Sequence, residues 1–196
     1  MYLHGGENMK LFKNAFSIFL FILVSSAYAD FKDKNVSEHL DKIMDEGIVR
    51  EVYFIDSFIA HNSRSADMAA IAAKKANSLE IRILAEKMHK ELIEDNQKMS
   101  ERRKRYNASI HQAQEELPNP VDITSLSEKE GTEFDLQFIK LMSKQLKKGV
   151  RIAQELNPIL EDVMVKKLAE NSASRQTVQI GYLQQISDNM GYGLKL

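Results

Sequence analysis

Three prolines in 196 residues constrain this chain more than any other feature: Pro118, Pro120 and Pro158. Proline lacks the amide donor and clashes with the preceding turn, so it interrupts helices. Here those interruptions are confined to two places. The intervening sequence is rich in Ala, Leu, Ile, Met, Lys, Glu and Gln, the strong helix formers. Its apolar residues recur at spacings of three and four. Over residues 48–76, Val52, Ile55, Phe58, Ile59, Ala66, Ala69, Ala70 and Ala73 form one stripe. The pattern predicts an all-α chain.

Three further helices follow from the same reading. Asn77 with Glu80 three residues on predicts a capping box opening a second helix, which runs through Ile81, Leu84, Ala85, Met88, Leu92 and Met99. It ends in the basic run Arg102, Arg103, Lys104 and Arg105, suited to unpaired carbonyls at a helix C-terminus. Residues 114–123 form the one long loop. Ser127 with Glu130 predicts a second capping box and a third helix through Phe134, Phe138, Leu141, Met142, Val150 and Ala153. Asn157-Pro158 predicts an N-cap plus a first-turn proline, and a fourth helix with Leu160, Val163, Met164, Leu168, Val178, Leu183 and Ile186. Two tight helix pairs joined by one longer loop predict an up-down-up-down four-helix bundle over residues 48–190, followed by a tail, 191–196. The halves echo each other: at an offset of about 84, Phe54-Ile55 meets Phe138-Ile139 and Ala69 meets Ala153.

Residues 1–29 read as a secretory signal peptide. Lys10 and Lys13 precede an apolar run from Ala15 to Val24, and Ala27 and Ala29 stand at −3 and −1 before Asp30. That run is too short to cross a hydrocarbon core of ~30 Å. The expectation is a start at Met9, cleavage after Ala29 and a periplasmic chain, with residues 30–47 as a segment carrying a short amphipathic helix. With no cysteine, thiol catalysis, thiolate ligation and a lipidated N-terminus are excluded. The 27 basic and 28 acidic residues nearly balance, so nothing global points to nucleic acid.

Residues 71–81 (Ile71-Ala72-Ala73-Lys74-Lys75-Ala76-Asn77-Ser78-Leu79-Glu80-Ile81), followed by Leu84-Ala85-Glu86-Lys87-Met88-His89 and Asn96, resemble a bacterial family, domain of unknown function 4142. Phe134-Asp135, Phe138-Ile139 and Met142 resemble its third helix. The resemblance implies an exported, ferritin-like four-helix bundle under an outer-membrane label, with no settled activity. Glu91-Leu92 and Gln145-Leu146 stand where that family has Asp-His pairs. A weaker similarity is to a related exported family with an M-x-x-H-H signature, some members of which are linked to copper. Of that signature His61 is present, followed by Asn62.

The remaining constellations bear on metals and surfaces. Glu86-Lys87-Met88-His89 has the Glu-x-x-His spacing of a di-iron bundle, but its counterpart in the second half, Glu170-Asn171-Ser172-Ala173, lacks the histidine. For copper, His61 and Met68 on the first helix with Met88, His89 or Met99 on the second are the candidate ligands, since imidazole and thioether suit that metal. Pairing about the turn at Asn77 puts Met68 near Met88 and His61 near Leu92 to Asp95. Methionine at helical spacing is ordinarily core filler. Arg102 to Arg105 form a candidate anionic-surface patch, for peripheral contact with lipid or a partner. No Ser-His-Asp order, phosphate loop or paired carboxylates is visible. The sequence therefore predicts a non-catalytic exported bundle that binds a protein or small ligand, with no cofactor, and copper binding as the alternative.

Overall fold

Residues 50–106 and 123–196 are described by the computed structural model, and every regular element among them is helical. The leader, the segment 30–47, His39, His111 and most of the long loop lie outside them. Helix α1 (Arg50–Lys75) and α2 (Leu79–Arg103) form one hairpin. After the one-turn α3 (Thr124–Ser127), α4 (Gly131–Leu156) and α5 (Val163–Asn189) form the other. No described helix is long and apolar enough to cross a membrane.

The all-α bundle is as the periodicity predicts, and the contacts define its order of directions. Asn77 and Ser78, at the α1–α2 turn, donate backbone N–H bonds of 2.9 Å to the Asp135 carboxylate near the start of α4. At the opposite end Arg102 reaches Asp162 at 2.9 Å, and Glu161 N–H donates to Glu51 at 2.6 Å. Helix α4 therefore starts beside the end of α1, and the directions run up, down, down, up, not up, down, up, down as the two tight pairs predict. The connection between α2 and α4 is long enough to return the full length of the bundle, as in ferritin-like folds with a single crossover. Each helix packs against antiparallel neighbours, α1 on α2 and α4, α5 on α4 and α2.

Three helix starts differ from the sequence reading. Ser78, not Asn77, caps α2, its Oγ accepting from Ile81 N–H at 3.4 Å; the Asn77 amide is taken by Asp135. Ser127 closes the one-turn α3 instead of opening α4, which begins at Gly131, where φ is +57°. Asn157-Pro158 open a 3₁₀ turn that ends at Ile159, and α5 starts four residues beyond it, capped by Asp162, whose carboxylate accepts from Met164 and Val165 N–H. Asp162 gathers Arg102, Tyr106 and its own helix start into one network.

That network gives the fold an acid-sensitive end. Burial alone would raise the Asp162 pKa, but hydrogen bonds from Tyr106, Arg102 and the helix amides outweigh it and bring it from 3.8 to about 2. A folded-state value below the unfolded one stabilises above the unfolded pKa and is lost as pH falls through the folded one. The carboxylate is partly exposed, so water screens the pair and the contribution is about 1 kcal/mol. Urea denaturation should show wild type losing that amount between pH 5 and pH 2 relative to Asp162→Asn, with the two curves converging at the acid end.

The apolar core runs around Phe54, Phe58, Phe134 and Phe138, all fully buried, with the Phe54 and Phe58 rings stacked at 5.0 Å. The tail folds back on the bundle: Leu196 N–H donates to Gln184 at 2.8 Å, and Tyr192, Leu194 and Leu196 pack on the core. One predicted stripe is displaced. In α5, Val163, Met164 and Val178 are half or more exposed; the inward row is Val165, Ala169, Ser172, Gln176, Gln179, Leu183 and Ile186. Its spacing alternates four and three, as packing against neighbouring helices requires, but its middle third is polar.

Candidate functional site

At mid-height all four long helices turn polar side chains inward. Helix α1 contributes His61, Asn62 and Ser65; α2, Asp95; α4, Ser143 and Gln145; α5, Ser172, Gln176 and Gln179, all buried. Burying such groups is costly unless they pair, and they pair largely with one another. The Gln145 amide nitrogen lies 3.0 Å from His61 Nδ1 and donates to the His61 carbonyl at 3.3 Å. An amide NH₂ can only donate, so Nδ1 accepts and the ring proton is assigned to Nε2. Gln176 Nε2 donates to Asn62 Oδ1 at 3.1 Å, and Gln179 Nε2 to Glu91 Oε2 at 2.8 Å. The layer reaches the surface between α2 and α5, where Ser172 Oγ donates to Asp95 at 3.2 Å and Arg175 pairs with it at 3.3 Å.

Gly149 is what lets α4 approach this layer. A β-carbon there would stand 2.2 Å from Gln176 Oε1 and 2.3 Å from His61 Nε2. The two atoms converge on the space that glycine leaves, and among the described residues neither has a hydrogen-bond partner of good geometry. Burial, reinforced by the positive charge of Lys148 and opposed by the Gln176 side chain, lowers the His61 pKa to about 3. The imidazole is thus neutral at ordinary pH. Asp95 moves the other way: burial raises its carboxyl, against the pull of Arg175, Ser172 and Lys98.

The residues singled out from the sequence fall into separate surroundings. Met68 and Met88 both belong to one apolar cluster that also holds Met142. Met99 is fully buried in the last turns of α2. His89, half-buried, is held through Nδ1 at 3.0 Å from the Ala66 carbonyl, while His61 faces α4. The structure therefore does not bring the two histidines together. Glu86 is exposed, and no group of three or more His, Asp or Glu among the described residues is arranged to hold a metal ion. In the basic run, Arg102 pairs with Asp162, Arg103 with Asp56 at 2.9 Å and Lys104 with Glu101 at 2.6 Å, leaving Arg105 exposed at the end. Most of that charge closes the end of the bundle.

Sequence reading missed Asn62, Asp95, Gln145, Arg175, Gln176 and Gln179 as a set. The signal was the polar interruption of an otherwise regular four-three row in α5. His61 and Gln145 are also 84 residues apart, the offset at which the two halves align, so equivalent positions of the repeat meet across the bundle.

Residues 51–187 match the family model described as Domain of unknown function (DUF305). This overturns the resemblance to domain of unknown function 4142 and its outer-membrane label: the shared turn and core residues are those that any such helical hairpin needs. Among solved structures, CopM in the Cu(II)-bound form is similar with a TM-score of 0.61 and 22% identity, over 71% of this chain and 97% of that one. CopM in the Ag-bound form gives 0.60 and 22%, over 71% and 96%. A DUF305 secreted protein from Streptomyces coelicolor gives 0.66 and 14%, over 73% and 93%. At these identities the likeness is one of fold. Comparison with curated proteins returns no match.

Proposed function

The chain belongs to the DUF305 family, and from that premise we propose that it is an exported, non-catalytic bundle that acts by binding a small ligand or a partner protein. One observation carries this reading: the mid-height layer, where ferritin-like bundles place paired carboxylates and imidazoles, is built here of amides, hydroxyls, a single neutral histidine and one carboxylate, Asp95, already engaged by Ser172 and Arg175. Such a layer aligns helices. It offers no paired carboxylates and no activated nucleophile.

Copper binding is the second reading, favoured by a buried neutral imidazole, His61, in the layer and by the fold shared with CopM, of which Cu(I)-bound and Cu(II)-bound forms are known. The donors do not fit a preformed copper centre. One imidazole nitrogen and one amide oxygen converge, while the thioethers of Met68 and Met88 stay in the apolar cluster. Titration with Cu(I) and with Cu(II), monitored by melting temperature, separates the readings. Equal, weak binding by wild type and a His61→Ala, Met88→Leu variant is the expected result. Stabilisation of wild type by about 2.7 kcal/mol at a hundredfold excess over Kd, lost in the variant, would establish copper instead.

A further inference from the structure

Between α2 and α5 the surface opens into a groove of about 400 Å³, lined by Asp95, Lys98, Leu168, Asn171, Ser174 and Arg175. That is the size range of small-molecule sites. Its charges are arranged asymmetrically in depth. Asp95 forms the floor, 6% exposed, with one oxygen held by Ser172 at 3.2 Å and the other by Arg175 at 3.3 Å. Arg175 also donates through the same Nη1 to the Glu91 carbonyl at 3.3 Å. One corner of the guanidinium is thus anchored to the protein, while the side chain as a whole stays 29% exposed and lines the groove. Lys98, its side chain 54% exposed, stands above the floor at 4.0 Å from Asp95. Two cations over one buried carboxylate leave a net positive groove. Glu91, whose charge also reaches Asp95, is engaged by Gln179 and Lys87.

We propose that this groove binds a small organic carboxylate, with Arg175 as the contact to the carboxylate and Asp95 as the residue that positions Arg175. A guanidinium fixed at one corner presents its remaining N–H groups in the planar fork that matches a carboxylate. Lys98 adds charge without directional demand. Asn171 and Ser174 supply neutral hydrogen-bonding groups, and Leu168 gives an apolar wall for a short hydrocarbon body, which inorganic phosphate would not use. The proposal deepens the ligand-binding reading by giving it a place and a ligand class, and it is independent of the copper titration.

The test is a titration of the full ¹⁵N-labelled protein with butyrate, inorganic phosphate and butyramide. Butyrate should shift the Asn171, Ser174 and Arg175 amides saturably, and butyramide should not. Arg175→Gln should weaken butyrate binding at least about tenfold, and Lys98→Ala about threefold. Asp95→Asn should weaken binding and also broaden the Arg175 Nε–H signal, which a merely structural role would leave sharp. Absence of a saturable shift, or equal affinity for butyramide, overturns the proposal. Phosphate binding as tightly as butyrate overturns the organic assignment. Should Arg175→Gln not fold, unchanged affinity in the surface variant Lys98→Ala overturns it equally.

Discussion

Asp135→Ala is expected to cost about 3 kcal/mol of stability, the largest loss of any single polar substitution in this bundle. Asp135 is fully buried, and its two carboxylate oxygens accept from Asn77 N–H and Ser78 N–H at 2.9 Å each. Those donors sit at the entrance to α2, where the helix has no carbonyls of its own to offer them. Removing the carboxylate leaves two part-buried amides without their acceptor, and each such loss costs up to about 1–3 kcal/mol. It also frees the start of α4 from the α1–α2 turn, so the two hairpins lose a direct tie. Asp135→Asn retains one acceptor and should lose about half as much. Urea midpoints at constant m-value measure both effects; a loss below about 1 kcal/mol for the alanine variant would mean that water replaces the carboxylate.

Gly149→Ala should be destabilising by about 2 kcal/mol, although the same exchange inside an ordinary helix gains up to about 1 kcal/mol. The reversal follows from the 2.2 and 2.3 Å approaches of Gln176 Oε1 and His61 Nε2 to the β-carbon position. Gln176 has torsions with which to yield. The His61 ring is pinned by Gln145 and packed at 5.5 Å against Phe58, so the strain passes to the ring or to the α1–α4 separation. Gly181 supplies the control: it lies in α5 with nothing within 4 Å of its β-carbon position. Gly181→Ala should therefore raise stability. Imidazole ¹⁵N shifts report the layer directly. Wild type should show one protonated nitrogen throughout the neutral range, and Gly149→Ala should perturb that signal while Gly181→Ala leaves it alone.

How far the sequence could be read follows the physics of each signal. Helix identity was legible, because stripes such as Val52, Ile55, Phe58, Ala66 and Ala69 need only local spacing. Helix starts were legible to within a few residues. Which capping side chain wins depends on what else competes for the amides, and at Asn77 the winner was Asp135, from the other hairpin. The helix directions were misread as up-down-up-down, since a connection of that length permits either return. The polar layer escaped for a different reason. A search for apolar periodicity passes over Ser172, Gln176 and Gln179 and assigns α5 to its exposed Val163, Met164 and Val178. The metal candidates were chosen by residue chemistry alone. Their surroundings (an apolar cluster, a backbone carbonyl, an amide) come from tertiary packing.

The crossover between the hairpins has a consequence for how the chain reaches this state. Each hairpin closes over a short connection, so α1 finds α2, and α4 finds α5, at small entropic expense. The layer joins partners 77, 84 and 114 residues apart, Ser172 to Asp95, Gln145 to His61 and Gln176 to Asn62. Loop closure disfavours such contacts until the hairpins exist. The polar layer is thus completed late in folding, and it acts as a register check: a hairpin docked one turn out of place would leave the amides of Gln145 and Gln176 a turn away from His61 and Asn62.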